Sequence, residues 1–234
     1  MKEGTESVVL GVDGCRHGWV CFSMSLQSRK TDVRVIRSFS EVMVYTPKPK
    51  SVAVDIPIGL PESGPRECDL TARKLLKKPR SNGVFPAPVR ALLEARTFGA
   101  ACRKSEQIQG KGVTKQTYAL IPKIREVDDL ITPAHQLWIR EVHPEICFWA
   151  MNNRAAMTHK KSSRQGREER LTILRKLFPA IDARLLELQG KCKPDDVIDA
   201  AAAAWTALRL VNGEAKALSD PEYDRRGLWM EIVY

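Results

Sequence analysis

Three places in the sequence put carboxylates where an isolated charge would be costly. Asp13 follows the apolar run Ser7 to Val12 (SVVLGV), and Asp55 sits near the end of a second run, Ser51 to Ile56 (SVAVDI). A carboxylate among Val and Ile must be hydrogen-bonded, paired or bound to metal. The third place is Asp195-Asp196-Val197-Ile198-Asp199, which leads into Ala200 to Ala204. Asp195 and Asp196 fit a helix cap or first turn, where acids complement the dipole. Asp199 lies inside that helix, on the face it shares with Asp196. Asp13, Asp55, Asp196 and Asp199 together would make an oxygen cage suited to Mg²⁺ or Mn²⁺. Two such ions about 3.5–4 Å apart would clamp the attacking and leaving oxygens of a phosphodiester. Glu141-Val142-His143-Pro144-Glu145 supplies two auxiliary acids, Glu141 and Glu145, and a His143 that is either a proton shuttle or structural. A local reading competes for Asp13, because Asp13-Gly14 is itself a turn signal.

Several elements must carry these residues. Ser7 to Val12, Gly18 to Met24 and Thr31 to Ile36 read as three strands of an antiparallel meander. Ser51 to Ile56 reads as a fourth, closed by Pro57-Ile58-Gly59-Leu60-Pro61. Helical periodicity covers 68–78, 91–106 and 114–129, with an irregular, Pro-rich stretch at 79–90. Gln136 to Val142 alternates as a fifth strand. Arg167 to Leu177 and Ala180 to Leu188 are amphipathic helices, and a last helix runs from about Asp195 to about Leu210. Leu228 to Val233 is expected as a closing strand. The order implies an α/β fold with a mixed sheet and flanking helices, in a single domain spanning 1–234, with a helical insertion at about 60–135.

Composition narrows the class. The chain has 234 residues, 43 % of them hydrophobic and 28 % charged, which excludes wholesale disorder. No apolar run reaches the roughly 18 residues of a membrane span, so no membrane partner is expected. The polar start, Met1 to Glu6, does not read as a signal peptide. Cysteines 15, 21, 68, 102, 147 and 192 are scattered and read as reduced thiols of a cytoplasmic protein. The net charge is +10, concentrated in two segments: 66–104 holds 10 Lys+Arg against 3 Asp+Glu, and 151–193 holds 11 against 4. Such segments suit a polyanion, and nucleic acid is the expected partner. Gly110-Lys111-Gly112 lacks the Walker spacing, so Lys111 is either a phosphate contact or part of a surface loop. The tryptophans 19, 138, 149, 205 and 229 are expected in the core.

The runs GVDGCRHGWV (11–20), VDIPIGLPESGPRECDLTAR (54–73), VFPAPVR (84–90), GKGVTKQ (110–116), EVHPE (141–145) and DDVIDAAAAAWTA (195–207) resemble domain of unknown function 429. That family is generally described as predicted nucleases of the ribonuclease H-like fold. The resemblance implies three antiparallel strands, two further strands and flanking helices. It also implies a metal ligand at Asp13, a second acid at Asp55, and acids three apart, Asp196 and Asp199, on the last helix. His17 stands where a glycine is expected, and Asn82-Gly83 where serines are common; the four acids are kept. Candidate substrate contacts are Arg16, Arg66, Arg80, Arg90, Lys111, Gln116, His143, Lys160 and Lys161. The expected activity is metal-dependent hydrolysis of nucleic-acid phosphodiesters. A non-catalytic nucleic-acid-binding protein of the same fold is the alternative. A nucleotide-using enzyme is a weaker one, because it would need a second phosphate-binding hairpin in a chain too short to hold it.

Overall fold

The first strand, β1 (Val8–Cys15), is buried at nearly every position and runs through Asp13-Gly14 without turning. The turn falls at Arg16-His17, and β2 (Gly18–Ser25) pairs back antiparallel, followed by β3 (Thr31–Ile36). A short α1 (Ser40–Met43) leads to β4 (Pro49–Asp55), which lies parallel to β1 on its other side. The computed structural model describes residues 6–220 and 222–234. Beyond β4 come α2 (Glu67–Leu76), α3 (Phe98–Gln109), α4 (Lys115–Asp128), β5 (Ile139–Glu141), α5 (Pro144–Met151), α6 (Arg164–Leu177), α7 (Ile181–Glu187), α8 (Pro194–Val211), and the short strands β6 (Glu222–Tyr223) and β7 (Trp229–Met230).

These elements form two compact units. The first contains the described residues up to Asp55, then Trp138–Lys216 and Val233–Tyr234. Its five-stranded mixed sheet has the order β3-β2-β1-β4-β5, with β1, β2 and β3 antiparallel and β1, β4 and β5 parallel. Helix α8 packs across β1, β4 and β2. Its Ala200 to Ala204 are fully buried and join Val9, Phe22, Phe148, Leu174 and Phe178 in one core. The second unit is Ile56–Leu137 with Ala217–Ile232, a helical unit with the β6-β7 hairpin. Its interior holds charge in bonded form. Arg66 is 1 % exposed, gripping both carboxylate oxygens of Asp69 at 2.7 and 3.1 Å while donating to the carbonyls of Ile58 and Gly59. Among the described residues no helix is long and apolar enough to cross a membrane.

Four local expectations change. The stretch 91–106 is not one helix: a 3₁₀ turn at Arg90–Glu94 precedes α3, because the Thr97 hydroxyl caps the Ala100 amide. The fifth strand shrinks to Ile139–Glu141, because Gln136 leaves the strand to hydrogen-bond both backbone groups of Trp229. Residues 228–233 do not form a strand of the main sheet; Trp229–Met230 pairs with Glu222–Tyr223 instead. Helix α5 was not expected at all, although Pro144 at its first turn and Glu145 beside it are start signals. Trp19 and Trp149 are buried, whereas Trp138, Trp205 and Trp229 are only partly so.

Candidate active site

Side chains alternate along a strand, so Val9, Gly11, Asp13 and Cys15 share one face of β1. Gly11 fixes what covers that face. A Cβ placed on it would stand 2.0 Å from the Ala200 carbonyl oxygen and 2.2 Å from the Ala204 nitrogen. The backbone of α8 therefore lies directly on β1, opposite Gly11. Two residues along β1 advance about 6.6 Å, and one turn of helix about 5.4 Å. Asp13 therefore meets α8 one turn nearer its start, at Asp199 and Asp196. In the parallel register Asp55 pairs with Asp13, so their side chains leave the sheet on the same side. Asp13, Asp55 and Asp199 thus converge from two strands and a helix.

Asp13 and Asp199 are buried, Asp55 is half-buried, and the cluster is short of positive charge. Asp13 is 8 % and Asp199 3 % exposed. Burial first, then the charges of Asp55 and Asp199, push the Asp13 carboxyl well above the usual carboxylate range, while Lys161 pulls it back. Burial, then Asp199, raises Asp55 to about 7. Burial raises Asp199 too, against the pull of Lys161. A side-chain hydrogen bond joins Asp13 and Asp55. A hydrogen bond between two carboxyls needs a proton shared between them. The cation in the cluster is Lys161, whose Nζ lies 2.8 Å from Asp199 Oδ2. Its stem is half exposed while the ammonium reaches inward, and the carboxylates raise its pKa, Asp199 foremost. The other oxygen of Asp199, Oδ1, is buried with no hydrogen-bond partner.

The chain around Lys161 is anchored to α6. The amides of Thr158 and His159 donate to the Glu169 carboxylate at 2.7 and 3.0 Å, and Ser163 caps α6 through the Gly166 amide. Arg170, 1 % exposed, donates to the carbonyls of His159 and Gly166 and to Glu145 Oε1 at 2.5 Å. Glu145 is thereby neutralised beside the cluster, with Oε2 unpartnered. A Cβ on Gly166 would stand 2.0 Å from the Lys160 carbonyl oxygen. Gly166→Ala is expected to push this surface segment off α6 at a cost of about 1–3 kcal/mol. Thermal unfolding should show a drop of roughly 2–10 °C for a chain of this size.

The other candidates are distributed unevenly. Asp196 lies near the cluster and is raised by burial, but its Oδ2 accepts the Lys193 amide at 3.0 Å, as a helix-start acid does. Asp195 pairs with Arg167 at 3.2 Å. Glu141 is in register with Val54, one residue before Asp55, and so lies on the opposite sheet face from Asp13 and Asp55. Arg16 and Lys160 are exposed and His143 is half-buried, all in the first unit. Arg66, Arg80, Arg90, Lys111 and Gln116 belong to the second. There Arg66 is committed to Asp69, and Arg90 pairs with Asp128 at 2.7 Å and with Asp224. These two have internal partners where substrate contacts were expected. Arg80 is half-buried, while Lys111 and Gln116 are exposed. Among the described residues no three His, Cys, Asp or Glu side chains form a ready metal cage. Nothing in the sequence connects Lys161 with Asp199, 38 residues apart. The one available signal is the need of clustered acids in apolar surroundings for a cation.

Fold and site together define a mixed α/β protein with a buried acidic cluster at the edge where β1, β4 and α8 meet. A model of the family described as Protein of unknown function (DUF429) matches residues 11–224, and the chain belongs to that family. No curated protein and no solved structure gives a significant match.

Proposed function

We propose that this protein is a metal-dependent nuclease of the ribonuclease H-like fold, hydrolysing phosphodiester bonds of nucleic acid. The observation that carries the reading is the trio of buried Asp13, half-buried Asp55 and buried Asp199, joined by the Lys161 ammonium, with an unpartnered Asp199 Oδ1. Such a set is left with excess negative charge, which a hard divalent ion offsets. The residues fit Mg²⁺ or Mn²⁺ in donor chemistry, since all three offer carboxylate oxygens. Mg²⁺ is commonly held by one or two carboxylates, its waters and substrate phosphates, so a full protein cage is not required. The strand order 3-2-1-4-5 supports the ribonuclease H-like assignment.

Asp13 and Asp55 would hold the ion, and the unpartnered Asp199 Oδ1 would be available to it or its water. A divalent ion there would make bound water more acidic and draw charge from the phosphate oxygens. The acids lose their protons when the ion binds. In the hydrolysis, the water oxygen would bond to phosphorus as the water gives up a proton, the bond to the leaving oxygen would break, and that oxygen would take up a proton. The exposed Arg154, Lys160 and Arg164 lie in the same basic segment as Lys161 and would grip the backbone. The test is a time course with Mn²⁺ or Mg²⁺ on labelled single-stranded, duplex, hybrid and branched DNA and RNA. Metal-dependent cleavage that weakens steeply with salt is expected. Salt-sensitive binding with no cleavage under any condition would favour the non-catalytic alternative.

A further inference from the structure

Accepting the metal-dependent reading, we infer that Lys161 takes the place of a second metal ion. The site then binds one divalent cation, on Asp13 and Asp55, while Lys161 stays on Asp199. Three features carry this. Asp199 divides its oxygens: Oδ2 is held by the ammonium at 2.8 Å, and Oδ1 is left free. With Oδ1 serving the first ion or its water, a second ion on Asp199 would need the oxygen that Lys161 holds. The charges also balance at one ion. Asp13, Asp55 and Asp199 bring three negative charges when ionised, and Glu145 is already neutralised by Arg170 at 2.5 Å. One divalent ion and Lys161 bring three positive charges. Two ions with Lys161 in place would bring five, more than the acids can offset even with Asp196 included. Buried uncompensated charge of either sign is heavily penalised.

The third feature is the anchoring of the lysine. Thr158 and His159 are bonded to Glu169, His159 and Gly166 to Arg170, and Ser163 to the first turn of α6. Both flanks of Lys161 are therefore fixed to a helix whose own Leu171 and Leu174 lie in the core of the first unit. An ion approaching Asp199 Oδ2 would have to break a charge-assisted bond held from both sides. Lys161 thus acts as a positioning residue: it orients Asp199 and sets the number of ions.

The test counts ions and does not depend on cleavage. Mn²⁺ is titrated by calorimetry at pH 8 into wild type, Lys161→Met and Lys161→Gln, with bound Mn²⁺ counted independently by electron paramagnetic resonance. Circular dichroism checks the fold of each variant. One Mn²⁺ per wild-type chain and two per chain in a folded variant is the expected result. Two ions in wild type would overturn the inference and leave the nuclease reading standing. One ion in wild type and one in the folded variants would also overturn it, since Lys161 would not be what excludes the second. No Mn²⁺ in wild type would overturn the nuclease reading and the inference with it.

Discussion

Asp13→Asn is expected to lower metal-dependent cleavage by about 10³-fold or more, the scale seen when a central catalytic group is removed. The same change should make the metal-free protein more stable at pH 8. The second outcome follows from the buried acids. The native Asp13 and Asp55 carboxyls titrate above their unfolded value of 3.8, Asp55 at about 7. Between the unfolded and native values the native state holds protons that the unfolded chain has lost. Stability therefore falls as pH rises through that window and stays low above it. Asparagine has no charge to bury, and its amide can donate to Asp55 in place of the shared proton. A gain in stability at pH 8 is expected, because the variant removes the carboxylate that burial and the neighbouring acids penalise. Differential scanning fluorimetry should show a higher melting temperature than wild type at pH 8, and little change near pH 4. Mn²⁺ should raise the melting temperature of wild type and leave Asp13→Asn unmoved. Cleavage at the wild-type rate by the variant would remove Asp13 from the site. A lower melting temperature at pH 8 would mean that its charge is already compensated.

Gly11→Ala is expected to cost more than about 4 kcal/mol, which is exceptional for one methyl group. The added carbon would lie 2.0 Å from a carbonyl oxygen and 2.2 Å from an amide nitrogen of α8. Neither can swing aside as a side-chain tip could, because both belong to an 18-residue helix whose inner face is fully buried. The sheet cannot yield either, since β1 is its central strand, paired on both sides. Guanidinium unfolding of Gly11→Ala should show a collapse of the midpoint, or the variant should fail to yield folded protein. A stability within about 1 kcal/mol of wild type would mean that α8 does not rest directly on β1 at Gly11.

Much of this was legible from residue types. The meander, Asp55 at the end of a buried strand and the Asp196–Asp199 helix face follow from alternation, apolar runs and three-residue spacing. Asp13 ends an apolar run and is buried in the fold, but in the sequence Asp13-Gly14 is equally a turn signal. The strand continues there because the hairpin turns two residues later, at Arg16-His17. Period two also explains what went unseen about Glu141. Which face it takes depends on its register with β4, and register between strands far apart in sequence leaves no local trace. The partners of Lys161, Arg66 and Arg90 are of the same kind. A basic segment looks alike whether its charges meet solvent, phosphate or a buried aspartate, and only tertiary packing distinguishes them.

The close approach at Gly11 has one more consequence. The distance between the β1 acid and the α8 acids is set by main chain resting on main chain, with no side chain between. Side-chain packing elsewhere in the first unit can be exchanged for other volumes while this spacing holds. The functional geometry is therefore gauged by peptide groups, whose dimensions do not vary with sequence. Drift in Phe22, Leu174 or Phe178 would alter how firmly the unit folds, and leave almost untouched how far apart its acids stand.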